Sequence, residues 1–94
     1  MADVVRELLF TEAAVEKLGA RDISDDEAKQ LLRNTNIIVR NPGARGNAER
    51  RFLIGRTDGG RVLTLVVEET IEPTSWVVVT GWTAATDERK MLGG

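Results

Sequence analysis

The segment from Arg50 to Val67, Arg-Arg-Phe-Leu-Ile-Gly-Arg-Thr-Asp-Gly-Gly-Arg-Val-Leu-Thr-Leu-Val-Val, constrains the fold more than any other part of the chain. Two apolar runs flank Asp58-Gly59, a dipeptide that accepts the positive φ angles of a two-residue hairpin turn and lets the loop match the twist of its strands. That turn places Arg56 directly opposite Arg61. Like charges facing each other across a ladder repel, so the pair is either splayed into solvent or arranged around an anion. The same register puts Phe52 and Ile54 on one face with Leu63, Leu65 and Val67, the face that helices would cover. Arg51, Leu53 and Gly55 then point the other way beside Val62, Thr64 and Val66. A slip of one residue, for which Gly60 leaves room, exchanges the two faces.

The rest of the chain supplies the layers around this hairpin. Arg6 to Phe10 reads as a short strand. Thr11 can cap a helix over Glu12–Leu18 with Gly19 as its stop. Ser24 and Glu27 fit a capping box, and Ile23 with Ala28 a hydrophobic staple, opening a second helix that runs to about Asn34. Asn36–Arg40 is strand-like, and Asn41–Asn47 is a polar, glycine-rich loop carrying Arg45. Pro73 interrupts pairing between Glu68 and Ser75. Trp76–Trp82 is apolar on both faces, as a central strand would be, and Ala84–Leu92 suits a short helix. The expected architecture is α+β: two N-terminal helices packed on a three- to four-stranded antiparallel sheet, with a short C-terminal helix, in one domain spanning residues 1–94.

Composition removes several kinds of chemistry. The chain has no cysteine and no histidine, so disulfides, thiol nucleophiles, zinc clusters and an imidazole base are all excluded, and no metal or cofactor is expected. Acid–base work falls to Glu, Asp, Lys or Arg. No signal-peptide core and no membrane-length apolar run is present, which reads as a cytoplasmic, soluble protein. The net charge is −2, but residues 1–34 carry 5 basic and 8 acidic side chains, residues 35–61 carry 6 and 2, and residues 62–94 carry 2 and 5. A centre of +4 between two flanks of −3 suits a focused phosphate site better than general polyanion binding.

The pattern Arg51-x-x-Ile54-Gly55-x-Thr57-x-x-Gly60-Arg61-x-Leu63, followed by an apolar strand and Ala84-x-x-x-Glu88-Arg89, resembles the BrnT branch of the RelE-like toxins. Phe10-Thr11-Glu12-Ala13, Gly19 and Ile23-Ser24-Asp25-Asp26-Glu27 resemble a related domain of unknown function, DUF4258. The resemblance implies a RelE-like fold and the toxin component of a type II toxin–antitoxin system. Its implied activity is ribonuclease cleavage of messenger RNA, by attack of a ribose 2′-hydroxyl on the adjacent phosphate, held in check by a cognate antitoxin. By matching position it implies Arg51, Arg61, Glu88 and Arg89 as the catalytic group. Two positions depart from the pattern: Trp82, where relatives commonly carry a basic residue, and the neighbourhood of Ala13, where many related domains have a histidine.

Residue chemistry adds its own candidates. Guanidinium forks bind phosphate oxygens bidentately, so Arg51, Arg56, Arg61 and Arg89 can each hold RNA, as can Arg45 in its basic loop. Each can equally be a solvated strand edge or the partner of a carboxylate. Trp82 can stack on an unpaired base or seal the edge of the core. Glu88 can serve as a general base or answer the dipole of its helix. Two other outcomes stay open: an inactive relative that binds RNA or a protein, and a homodimeric accessory subunit.

Overall fold

Capping side chains set the first two helices. In the computed structural model, which describes residues 4–40 and 50–93, Thr11 Oγ1 accepts from the Ala14 N–H at 3.1 Å and opens α1 (Glu12–Gly19). Ser24 and Glu27 form the reciprocal box, at 3.1 and 3.2 Å, and open α2 (Asp25–Gln30). Each cap satisfies N–H groups that a first helical turn leaves unpaired, worth about 1 kcal/mol. Gly19 does not stop α1. It is helical, Ala20 closes the helix in the right-handed region, and the left-handed position falls on Asp22 at φ 61°. The second helix is shorter than expected and tightens into a 3-10 turn over Leu31–Arg33.

The sheet has five strands rather than three or four: β1 (Glu7–Phe10), β2 (Asn36–Arg40), β3 (Arg50–Arg56), β4 (Val62–Glu69) and β5 (Ser75–Thr83), in the order β1-β5-β4-β3-β2. It is mixed, because β1 lies parallel to β5 with Leu8 beside Trp76. The two helices carry the chain across the sheet from β1 to β2, and the meander β2-β3-β4-β5 brings it back. β4, not the Trp-flanked strand, sits at the centre, and Val62 to Val67 are all buried. The loop holding Arg45 lies outside the described residues.

The hairpin differs from its expected register by one residue. Thr57 N–H donates to Arg61 O at 2.8 Å and Gly60 N–H to Thr57 O at 3.0 Å, with Gly60 at φ +88°. Asp58, Gly59 and Gly60 thus form a three-residue loop with a left-handed glycine, the next commonest hairpin after the two-residue turn. Arg56 therefore pairs with Val62, and Phe52 with Val66. The two faces of β3 exchange accordingly, while Leu63, Leu65 and Val67 stay on the helix-covered face. Leu53, Leu63, Leu65 and Val67 pack with Leu18, Ile23, Ala28 and Leu31 under α1 and α2. Ile54 and Val62 join Ala84, Ile37, Val39, Phe52 and Leu92 on the far face, beneath α3 (Thr86–Leu92).

Trp76, 2% exposed, donates its indole N–H to Val4 O at 3.0 Å and ties the N-terminal segment to the sheet. Gly55 lets the chain close in: a Cβ there would lie 2.9 Å from both Asn36 Cβ and Leu31 Cγ. The space beside Gly55 is therefore filled by the 3-10 turn and by Asn36 of β2.

Candidate functional site

Arg61 is spent on holding the loop to the helices. Its Nη1 donates to Asp22 O at 2.7 Å and lies 3.4 Å from Glu27 Oε2, while Nη2 donates to Thr83 Oγ1 at 3.0 Å and to Arg21 O at 3.4 Å. The guanidinium thus bridges the α1–α2 connection, α2 and the end of β5. Arg21 is engaged similarly, donating to Gly81 O at 3.0 Å where β5 runs on past its pairing with β1.

At the other end of the hairpin the arginines face carboxylates. Arg50 Nε lies 3.2 Å from Glu68 Oε2. Arg51, with only 15% of its side chain exposed, lies 3.9 Å from Glu69 Oε1 and donates to Arg50 O at 3.0 Å. Five residues of strand separate Arg51 from Arg56, roughly 17 Å at the rise of an antiparallel ladder. Arg51 also lies in register on the α1–α2 face, with the sheet between it and α3.

The loop tip forms a third cluster. Arg33 donates to both oxygens of Asp58, from Nε at 3.1 Å and from Nη2, while the Asn34 amide donates to Oδ1 at 3.0 Å. These hydrogen bonds, Arg33 first and Asn34 second, lower the Asp58 pKa from 3.8 to about 2. A depressed carboxylate stabilises the folded state fully above its unfolded pKa, and that contribution is lost as pH falls through the folded value. The expected NMR titration of the Asp58 carboxyl therefore has its midpoint near 2, moving up towards 3.8 in Arg33→Ala. A wild-type midpoint already near 3.8 would show that the pair does not persist in solution.

On the far face the carboxylate of Glu88 joins α3 to the sheet. Glu88 Oε1 accepts from Thr64 Oγ1 at 3.0 Å, Trp82 Nε1 at 3.0 Å and Ala85 N–H at 2.8 Å. Thr64 is fully buried and Trp82 half-buried, the indole meeting the Phe52 ring edge-on with centroids 5.6 Å apart. Arg21 Cζ lies 6.0 Å from the Trp82 ring centroid. All three bonds fall on Oε1, while Oε2 has only the Trp82 indole at 3.4 Å.

Thr86, Arg89, Lys90 and Gly93 follow the i, i+3, i+4, i+7 spacing of one helical face. They line, among the described residues, a cavity of about 550 Å³. Arg89 and Lys90 are exposed and have no hydrogen-bond or ion-pair partner among the described residues. The same is true of the half-buried Arg56 side chain, which shares the far face with Ile54. Of the residues singled out from sequence, the structure brings together Glu88 and Trp82, with Arg89 next along α3. Arg51 and Arg61 stand apart from them, on the other face and at opposite ends of the hairpin. Phe52 and Thr64, which complete the Glu88 cluster, gave no sequence signal of their own beyond strand pattern.

Among the described residues no cluster of acidic side chains is disposed to hold a metal ion, and no helix is long and apolar enough to cross a membrane. Fold and site together define a small α+β domain with a mixed sheet and one short helix on its far face. Within that class the chain belongs to the DUF4258 family, a domain of unknown function, matched over residues 10–82. No curated protein and no solved structure matches it. The matched span ends at Trp82, before α3.

Proposed function

We propose that this DUF4258 domain is an RNA-binding relative of the RelE-like toxins, engaging RNA phosphates through α3 without cleaving the chain. The observation that carries the reading is the contrast among its cations: Arg50, Arg51 and Arg61 are each answered by a carboxylate, whereas Arg89 and Lys90 line a cavity and are unanswered among the described residues. An unanswered pair of cations beside a concave surface is an electrostatic site for phosphate oxygens. Cleavage would need a base and a charge-stabilising group on one scissile phosphate. Arg61 is spent on the helices and Arg51 lies on the opposite face of the sheet from Glu88, so these groups do not converge on one phosphate, which favours binding over catalysis.

The ribonuclease toxin reading is the second, favoured by the adjacency of Glu88 and Arg89 beside that cavity and by the residue pattern shared with the BrnT branch. It alone requires a cognate antitoxin. One experiment separates the two. Folded protein incubated with messenger RNA and with labelled single-stranded RNA is expected to bind both, more weakly as salt rises, and to leave them intact. Fragments ending in a 2′,3′-cyclic phosphate would establish the toxin activity instead.

Substitution of Arg89 and Lys90 together by Ala is expected to lower affinity by tenfold or more, tenfold being about 1.4 kcal/mol. The slope of log affinity against log salt should fall by about 1.4, at about 0.7 per phosphate contact on a single strand. Equal slopes for the variant and the parent would move the phosphate contacts off α3.

A further inference from the structure

The way Glu88 is used carries a second conclusion, which rests on the RNA-binding reading. All three of its close donors converge on one oxygen, Oε1, and the other oxygen has only the Trp82 indole at 3.4 Å. One of those donors comes from the buried centre of β4, one from the helix start and one from an aromatic ring on the sheet surface. No residue of α3 is itself buried, so the carboxylate and Leu92 are what dock the helix and fix the ring. The ring so fixed is not a core residue. Trp82 and Phe52 are both half-buried, on the same face of β5 and β3, and meet at an interplanar angle of 88°. Trp76, by contrast, is 2% exposed and packs inside.

We infer that Glu88 is a positioning residue that fixes the Trp82 indole, braced by Phe52, as a stacking surface for an unpaired RNA base. A ring whose N–H is tied, which meets Phe52 at 88° and which has the Arg21 guanidinium 6.0 Å from its centroid, has little freedom left to lose when a base stacks on it, and every base offers a π face, so the contact selects single strands without selecting sequence. A duplex keeps its bases stacked on each other and presents none to the ring. The chain has two tryptophans, and the other is enclosed, so a change in emission on binding reports Trp82.

The test titrates the full chain with a short oligouridylate and with duplex RNA of equal length, following tryptophan emission and, separately, the anisotropy of labelled RNA. The single strand is expected to quench and the duplex to leave emission unchanged. Trp82→Ala should weaken single-strand binding about tenfold, within the range typical of one base stack, and Trp82→Phe should retain most of it. Glu88→Ala should broaden the emission and weaken binding by a similar factor. Glu88→Gln should restore most of both, because an amide oxygen can accept the same donors; a carboxylate needed as a base would not be rescued. Binding with no quenching, equal quenching by duplex, undiminished affinity in Trp82→Ala, or Glu88→Gln falling as far as Glu88→Ala would each overturn the stacking surface while leaving RNA binding in place. If the folded parent bound neither probe at low salt, the RNA reading itself would fall, and the stacking surface with it.

Discussion

Gly81→Ala is expected to destabilise the protein by about 2 to 3 kcal/mol, the upper part of the usual range for overpacking a core. Gly81 sits on β5 opposite Leu65 of β4. A Cβ at that position would lie 2.7 Å from Leu65 Cδ2, 2.9 Å from the Thr64 carbonyl oxygen and 3.0 Å from Leu18 Cδ2. The two leucines are fully buried. The carbonyl belongs to the central strand and cannot retreat without lengthening the β4–β5 ladder. Relief of unfolded-state entropy, about 0.4 to 1 kcal/mol for Gly→Ala, is too small to offset this. In a domain of this size the loss corresponds to a melting point lower by roughly 10 to 20 °C. Gly19→Ala is the matched control: it lies in α1 with nothing within 4 Å of the added methyl, and should gain about 0.5 to 1 kcal/mol from helix propensity. Urea unfolding of the three proteins checks both signs. A Gly81→Ala midpoint at or above the parent's would mean that α1 does not seat on β5 as closely as these distances require.

What could be read from sequence and what could not divides by the range of the contact. Local chemistry was legible: Thr11, and Ser24 with Glu27, cap helices from residues three apart, and those bonds exist as expected. The hairpin was legible as a hairpin, since its strands are adjacent in sequence. Its register was not, because Asp58-Gly59-Gly60 supports either a two-residue or a three-residue loop, and the choice rests on packing. Thr57 is buried in the observed loop, its Oγ1 accepting from the Arg61 N–H at 3.1 Å, and Leu53 joins Leu63 and Leu65 under α1 and α2 only in that register. The parallel pairing of β1 with β5 joins Glu7 to Ser75, a long-range contact without a turn signal to announce it. Gly55 and Gly81 stand within stretches that read as strands, yet the chains that approach them, Leu31 and Leu18, come from elements whose docking the sequence does not show. The candidate site divided along the same line. Trp82, Glu88 and Arg89 lie within one short stretch and were found together, whereas the partners of Arg61 belong to Arg21, Asp22, Glu27 and Thr83, three of them more than thirty positions away.

Arg61→Ala is expected to cost about 1 to 2 kcal/mol of folding stability, the net worth of hydrogen bonds to a charged group reduced for its partial exposure. The guanidinium, with 29% of its side chain exposed, bonds two carbonyls of the α1–α2 connection, the Thr83 hydroxyl and Glu27. The carbonyl it approaches most closely belongs to Asp22, the left-handed residue at φ 61°, where a side chain is tolerated at some conformational cost. Removing the arginine leaves that turn without its brace and Glu27 without its cation, so the connection loosens and the loop end of the hairpin with it. Arg61→Lys should recover less than half of the loss, since an ammonium can reach Glu27 or Asp22 but cannot fork between the connection and Thr83. Guanidinium chloride unfolding of parent, Arg61→Ala, Glu27→Ala and the double variant gives the coupling between the pair directly, and about 0.5 to 1 kcal/mol is expected for two residues in contact at a partly exposed site. Any loss of RNA binding in Arg61→Ala should then follow the fraction unfolded and disappear at low temperature. A variant of undiminished stability that nevertheless loses RNA at all temperatures would return Arg61 from the scaffold to the binding surface.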